Sequence, residues 1–165
     1  MRFRERARPE TMGTGSPIDA WRFLLGTWRG ASQGQFGETG IVESKATFTG
    51  DLGDRFLVAT GEATCEGRLL NRSLQVLFYD TAAGKFRRKT FFSYGFVNNE
   101  VEYARTEDEI RFEIEAEPRP KQFQGIRWRS FVRKVSDREI VMGLEASKDG
   151  APFEGYGEVT LRKVE

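Results

Sequence analysis

Two arginines alternate with a tryptophan in a predicted strand, and their spacing suits ligand binding. In the segment 126–133, Arg127 and Arg129 share one strand face, whereas Trp128 lies on the other. An arginine that faced the interior of the fold could hold a ligand carboxylate through two parallel hydrogen bonds. The same arginines could instead face solvent, where most charged side chains lie. The pattern therefore predicts Arg129 as a candidate ligand contact and a carboxylate-bearing ligand as one expectation.

Aromatic side chains cluster around a predicted hairpin in the segment 85–105. Phe91 and Tyr94 are expected to line the mouth of an apolar pocket, and Tyr156 is a further candidate from the last strand. The alternative is that the consecutive aromatic residues belong to an ordinary barrel core and point to opposite faces of their strand.

The sequence contains no histidine, which removes the commonest general base and a frequent metal ligand. A Ser-His-Asp triad, a His-based zinc site and a His-ligated haem are therefore excluded. Glu158 and Tyr156 are the remaining candidates for acid–base chemistry, in an isomerase or cyclase that shapes an apolar substrate. We predict instead a binding protein without a cofactor, which holds a small hydrophobic or amphipathic ligand.

Charge and composition exclude other classes of partner. The chain has 26 basic and 25 acidic residues and a formal net charge of +1, whereas a general nucleic-acid or anionic-membrane binder would carry a clear basic excess. Residues 1–15 are polar and basic, which predicts a disordered tail before a single domain over residues 16–165. The sequence shows neither an apolar stretch of membrane-spanning length nor a signal peptide. We therefore expect a cytoplasmic protein with no nucleic-acid or membrane partner.

A short helix is predicted before the first strand. Ser16 is a suitable N-cap residue, Pro17 suits the first helical position, and Gly26 ends the segment. A helix of this length is too short to be stable alone, so it must pack on another element. Its apolar stripe comprises Ile18, Trp21, Leu24 and Leu25.

Ten strand-like segments with a period of two follow the helix. Their connections are short and rich in turn residues, which indicates an antiparallel meander. A meander of this length avoids exposed edges by closing on itself. We therefore predict an all-β, roughly ten-stranded up-and-down barrel, wide enough for a cavity and closed at one end by the helix. The predicted strands are 27–36, 40–49, 55–64, 72–79, 85–93, 96–105, 109–116, 123–135, 139–147 and 153–163.

Two short blocks carry a resemblance to known barrels. The string from Leu25 to Gly30, with Gly34 and Phe36 after it, resembles the first strand of the nitrobindins, which are haem barrels of the calycin superfamily together with lipocalins and fatty-acid-binding proteins. The segment from Leu77 to Phe86 is similar to a hairpin of small uncharacterised bacterial lipocalin-like proteins. Nitrobindins bind haem through a histidine near the C-terminus. Their haem ligand therefore cannot be carried over to this sequence, although a tyrosine-ligated haem is a chemical alternative.

The calycin resemblance implies a structural role for Trp28. It would plug the closed end of the barrel, with Arg162 from the last strand stacked across its ring. If Trp28 points inward, strand alternation also points Gly30, Ser32 and Phe36 inward, where they could form a pocket wall. The alternative reason for glycine here is strand coiling. The Phe-rich outer faces of the strands would also suit a homodimer.

Overall fold

The computed structural model describes residues 16–53, 55–115 and 123–164, and the predicted tail over residues 1–15 lies outside them. Ten antiparallel strands form one closed barrel, each strand pairing with its neighbours in chain order. This confirms the predicted all-β up-and-down barrel. The strands are β1 (Gly26–Gln33), β2 (Ile41–Asp51), β3 (Phe56–Cys65), β4 (Arg68–Asp80), β5 (Lys85–Phe92), β6 (Val97–Arg105), β7 (Glu109–Ile114), β8 (Ile126–Ser136), β9 (Glu139–Lys148) and β10 (Glu154–Val164).

The first and last strands close the barrel through a short ladder. All of β1 pairs with β2, but only the segment from Thr27 to Arg29 pairs with β10. The predicted first strand continues to Phe36, whereas β1 ends at Gln33 because Gly34 adopts a left-handed conformation with φ of 70°. A three-residue helix, Gln35–Gly37, follows. Phe36 therefore lies beyond the strand, and its side chain is outside the described part of the structure.

The N-terminal helix, Pro17–Leu24, closes one end of the barrel, as predicted. It is a 3₁₀ helix, and the Ser16 backbone N–H donates to Asp19 Oδ2 at 2.7 Å at its start. Three side chains at helical spacing, Ile18, Trp21 and Leu24, are buried in the barrel core. Among the described residues, no helix is long and apolar enough to cross a membrane.

Large apolar side chains fill the end of the lumen next to the helix, which we call the closed half. Trp28 is fully buried there, and its indole Nε1–H donates to the Leu24 carbonyl oxygen at 2.6 Å. This hydrogen bond joins the first strand to the end of the helix. The closed half also contains Ala46, Phe48, Leu57, Ala59, Leu77, Phe86, Ile110, Phe112, Val132, Ile140 and Leu161.

Candidate functional site

An arginine and a glutamate form an ion pair inside the barrel. Arg88 on β5 and Glu100 on β6 lie opposite each other in the ladder. Arg88 Nε donates to Glu100 Oε2 at 2.6 Å, and Nη2 donates to Oε1 at 2.7 Å. The two side chains are 9% and 2% exposed. This bidentate geometry compensates both charges in a region that water barely reaches.

Two hydroxyl groups complete the hydrogen bonding of the pair. Glu100 accepts from Thr90 Oγ1 at 3.0 Å and from Ser130 Oγ at 2.7 Å, and Ser130 Oγ accepts from Arg88 Nη2 at 2.7 Å. The Arg88 guanidinium also lies 4.8 Å from the centre of the Phe112 ring. The network connects β5, β6 and β8 across the inside of the barrel, which holds the charged groups in one arrangement.

A small cavity lies in the closed half, beside this network. Trp21, Gln75 and Arg88 line it together with apolar core residues, and its volume is about 10 Å³. A cavity of roughly 10–15 Å³ is the minimum for one water molecule. Trp21 Nε1 is buried there without a partner among the described residues, and one water would satisfy it. The cavity is therefore too small for an organic ligand.

The half of the lumen away from the helix, which we call the open half, has small side chains on β1 to β4. Four of them face inward but remain partly exposed: Ser32, Ser44, Gly61 and Ser73. Ser32 and Ser44 lie directly opposite Val42 and Ala63, which with Cys65 form a separate buried cluster. Because these four residues have small side chains or none, they fill less of the lumen than the large apolar side chains of the closed half do.

Two groups of aromatic rings border the open half. Trp128 on β8 contacts Tyr156 on β10 edge-to-face, with ring centres 4.7 Å apart, and Phe123 lies 6.4 Å from Trp128. At the β5–β6 hairpin, Phe92 stacks on Tyr94 at 5.3 Å with 15° between the ring planes. These rings place flat apolar surfaces next to small hydroxyl-bearing side chains.

Two buried polar atoms in the open half have no hydrogen-bond partner among the described residues. They are Ser32 Oγ and Trp128 Nε1. Trp128 is 8% exposed, and strand alternation places it on the same lumen face as Ser130 of the ion-pair network. A buried donor without a partner lowers stability, so a ligand or water that bonds to such an atom would stabilise the fold.

The structure places Phe91 on the outer wall, where it is 42% exposed, which corrects the prediction that it lines the lumen. Its neighbour Phe92 shares the lumen face of this strand with Phe86, Arg88 and Thr90. The two candidates at the mouth, Tyr94 and Tyr156, lie beside Phe92 and Trp128 respectively, at the edge of the open half. Their roles as ligand contacts stay predictions.

Arg129 also lies on the outer wall, because the alternation that buries Trp128 turns its neighbours outward. The Arg129 guanidinium lies 3.9 Å from the centre of the Phe153 ring, 4.4 Å from that of Tyr103, and 3.5 Å from a Glu113 carboxylate oxygen. The expectation of an inward Arg129 that binds a carboxylate is therefore corrected. The arginine in the lumen is Arg88, and Glu100 occupies its bidentate face.

Close strand contact, not an open pocket wall, explains Gly30. A Cβ atom at this position would lie 2.1 Å from the Thr160 carbonyl oxygen, so only glycine allows β10 to approach β1 here. Tyr156 occupies the irregularity in β10 between Gly155 and Gly157, and it is 62% exposed. Glu158 is exposed on the outer wall, opposite Gly143 on β9. Neither proposed acid–base group is enclosed in the lumen.

The cation across Trp28 is Lys163 and not Arg162. Lys163 lies opposite Trp28 in the ladder, and its ammonium nitrogen is 5.2 Å from the centre of the Trp28 ring. The same ammonium donates to the Phe23 carbonyl oxygen at 3.2 Å. Arg162 is the neighbour of Lys163 in β10, so its side chain points to the opposite, outer face, where it pairs with Glu139 at 2.9 Å. Trp28 is therefore buried at the helix end of the barrel with Lys163 over its ring, and its role as a plug stays a prediction.

The ion pair in the lumen is the feature that sequence reasoning missed. A signal for it exists in the sequence, because Arg88 shares one strand face with the apolar Phe86 and with Thr90. Arg88 and Glu100 also lie six residues on either side of Tyr94, so a hairpin centred there would bring them together.

Haem, which the nitrobindin resemblance would suggest, does not fit the residues present. The chain has no histidine and four tyrosines. Tyr103 lies on the outer wall under Arg129, and Tyr79 packs against Phe86 in the closed half. Tyr94 and Tyr156 are more than half exposed. None of the four therefore offers a buried axial ligand within the open half.

No protein-family model matches the chain, and no curated protein matches its sequence. The fold is similar to that in the crystal structure of Rv2717c from M. tuberculosis, with a TM-score of 0.66. The match covers 91% of this chain and 99% of that chain at 21% sequence identity. A likeness at this identity concerns the fold alone, so a function must be argued from the lumen.

Proposed function

We propose that the protein is a calycin-type barrel that binds a small amphipathic ligand in the open half of its lumen. The observation that carries the proposal is the band of inward-facing, partly exposed small residues next to the filled closed half. Barrels of this width either fill the interior with side chains or enclose a ligand. Here the closed half is filled, and Ser32, Ser44, Gly61 and Ser73 leave the other half open.

The lining of the open half indicates an amphipathic ligand. Trp128 and Phe92 supply apolar rings, and Ser44 and Ser73 supply hydroxyl groups, with Ser73 directly opposite Phe92 in the β4–β5 ladder. Pockets for small molecules typically combine apolar walls with a few polar groups that fix the orientation of the ligand. The unpartnered Ser32 Oγ and Trp128 Nε1 are polar groups of this kind.

A matched pair of variants tests the location of the site. Ser44 faces the lumen and is partly exposed, whereas its neighbour Lys45 faces solvent. We expect Ser44→Leu to fill the open half and weaken binding of the neutral dye Nile red at least tenfold. Lys45→Leu adds the same side chain to the outer wall and should leave dye affinity unchanged.

Fluorescence titration measures the dye affinity, and circular dichroism checks that both variants fold. Mass spectrometry of an organic extract of the purified protein would identify a ligand retained from the cell. A lack of dye binding to the unmodified protein, or equal affinities in both variants, would contradict a ligand site in the open half.

A further inference from the structure

We infer that the open half selects an uncharged ligand that carries a hydrogen-bond acceptor, such as a carbonyl group, and that Trp128 Nε1 is its donor. This inference rests on the proposed function and specifies the ligand of the same site. It departs from a fatty-acid-like ligand, whose carboxylate would require a cation in the lumen.

The donor is defined by chemistry and burial. An indole nitrogen can only donate a hydrogen bond, so its partner must be an acceptor. Trp128 is 8% exposed, and its Nε1 has no partner among the described residues. The ring is held edge-to-face against Tyr156, so the indole is already oriented before a ligand arrives. An acceptor placed at Nε1 would remove the penalty of an unsatisfied buried donor.

The charges on the lumen face argue against an anionic ligand. Arg88 is neutralised by two hydrogen bonds to Glu100, and Lys163 lies at the helix end over Trp28. Among the described residues of the open half, the lumen-facing positions inside the ends of the strands carry no cation. Lys148 lies opposite Ile126 at the end of β9 and is exposed, so its attraction for a carboxylate is weak and screened by salt. A buried carboxylate without a partner would be strongly disfavoured.

A series of three probes with one ring system tests the inference. Methyl 2-naphthoate has a neutral acceptor, 2-naphthoate has a carboxylate, and 2-ethylnaphthalene has neither. By calorimetric titration at neutral pH, we expect the ester to bind about 3–10 times more tightly than the hydrocarbon, as one neutral hydrogen bond allows. We expect it to bind at least tenfold more tightly than the carboxylate.

Trp128→Phe keeps an aromatic ring and removes the donor. The ratio of the affinity for the ester to the affinity for the hydrocarbon should therefore fall to about one. Trp21→Phe is the matched control, because it removes an unpartnered indole N–H from the closed half. It should leave the preference intact. The probe order in the unmodified protein tests the inference even if a variant folds poorly.

The outcomes distinguish a failure of the inference about Trp128 from a failure of the proposed function. Tightest binding of 2-naphthoate, or an ester preference that persists in Trp128→Phe, would overturn the inference and leave a ligand site in place. Failure of all three probes and of Nile red to bind would overturn the proposed function together with the inference.

Discussion

The two halves of the lumen differ in how much of their side chains is exposed to solvent. In the closed half, Trp21, Trp28 and Leu57 are at most 1% exposed, and the Trp28 indole is hydrogen-bonded to the helix. In the open half, Ser44 and Ser73 point inward yet remain partly exposed. The same strands contribute to both halves, so the difference comes from side-chain size. Barrel width alone therefore does not produce a ligand site.

The buried ion pair gives the largest expected effect. Glu100→Leu would leave Arg88 unpaired inside the barrel and lower the free energy of unfolding by about 3–5 kcal/mol. In the double variant Arg88→Met/Glu100→Leu the unpaired charge is absent, so most of the stability should return. Urea denaturation measures both values. Equal losses in the single and double variants would show that lost packing, and not the unpaired charge, dominates.

A matched pair of leucines compares the halves directly. Leu57 is buried in the closed half, whereas Leu144 faces the lumen opposite Ser130 and is only partly buried. Leu57→Ala should lower the free energy of unfolding by about 2–5 kcal/mol because it opens a cavity in packed core. Leu144→Ala should lower it by about 1 kcal/mol. Thermal unfolding of both variants checks the difference, and similar losses would mean that the open half is packed as well.

The plug of the closed half depends on Lys163. Lys163→Met removes the ammonium from the Trp28 ring and from the Phe23 carbonyl oxygen, and we expect a loss of about 1 kcal/mol. Arg162→Met removes only an exposed ion pair with Glu139, for which we expect a few tenths of a kcal/mol at most. Denaturant titrations compare the two. A larger loss of stability in Arg162→Met than in Lys163→Met would support the sequence-based assignment of Arg162 to the Trp28 ring.

The smallest expected effect is on the outer wall around the open half. The Arg127 hydrogen bond holds the pKa of Glu113 below its usual value. A lowered carboxyl pKa stabilises the fold above the unfolded-state pKa, and this contribution is lost as the pH falls through the folded-state pKa. Between about pH 5 and pH 3, the unmodified protein should therefore lose more stability than Glu113→Gln. Parallel acid-denaturation curves would contradict this assignment.

Strand period and turn residues predicted the ten-stranded barrel, cap residues and an apolar stripe predicted its closing helix, and the calycin resemblance implied a plug at Trp28. They did not decide which face of β8 points inward, because Arg129 and Trp128 alternate in a strand with large residues on both faces. Packing decides it, since burying Trp128 removes more apolar surface from water than burying Arg129 would. The cation over Trp28 depends on a one-residue phase between β1 and β10, which sequence patterns do not specify. Predicting the Arg88–Glu100 pair required knowledge of the register of the β5–β6 hairpin.

Nuclear magnetic resonance of the three indole N–H groups tests the division of the lumen most directly. Trp21 and Trp28 report on the closed half, and Trp128 reports on the open half. During titration with methyl 2-naphthoate, we predict that the Trp128 indole signal, assigned with Trp128→Phe, shifts while the other two stay in place. A shift of Trp21 or Trp28 without one of Trp128, or no shift at saturating probe, would contradict a ligand site in the open half.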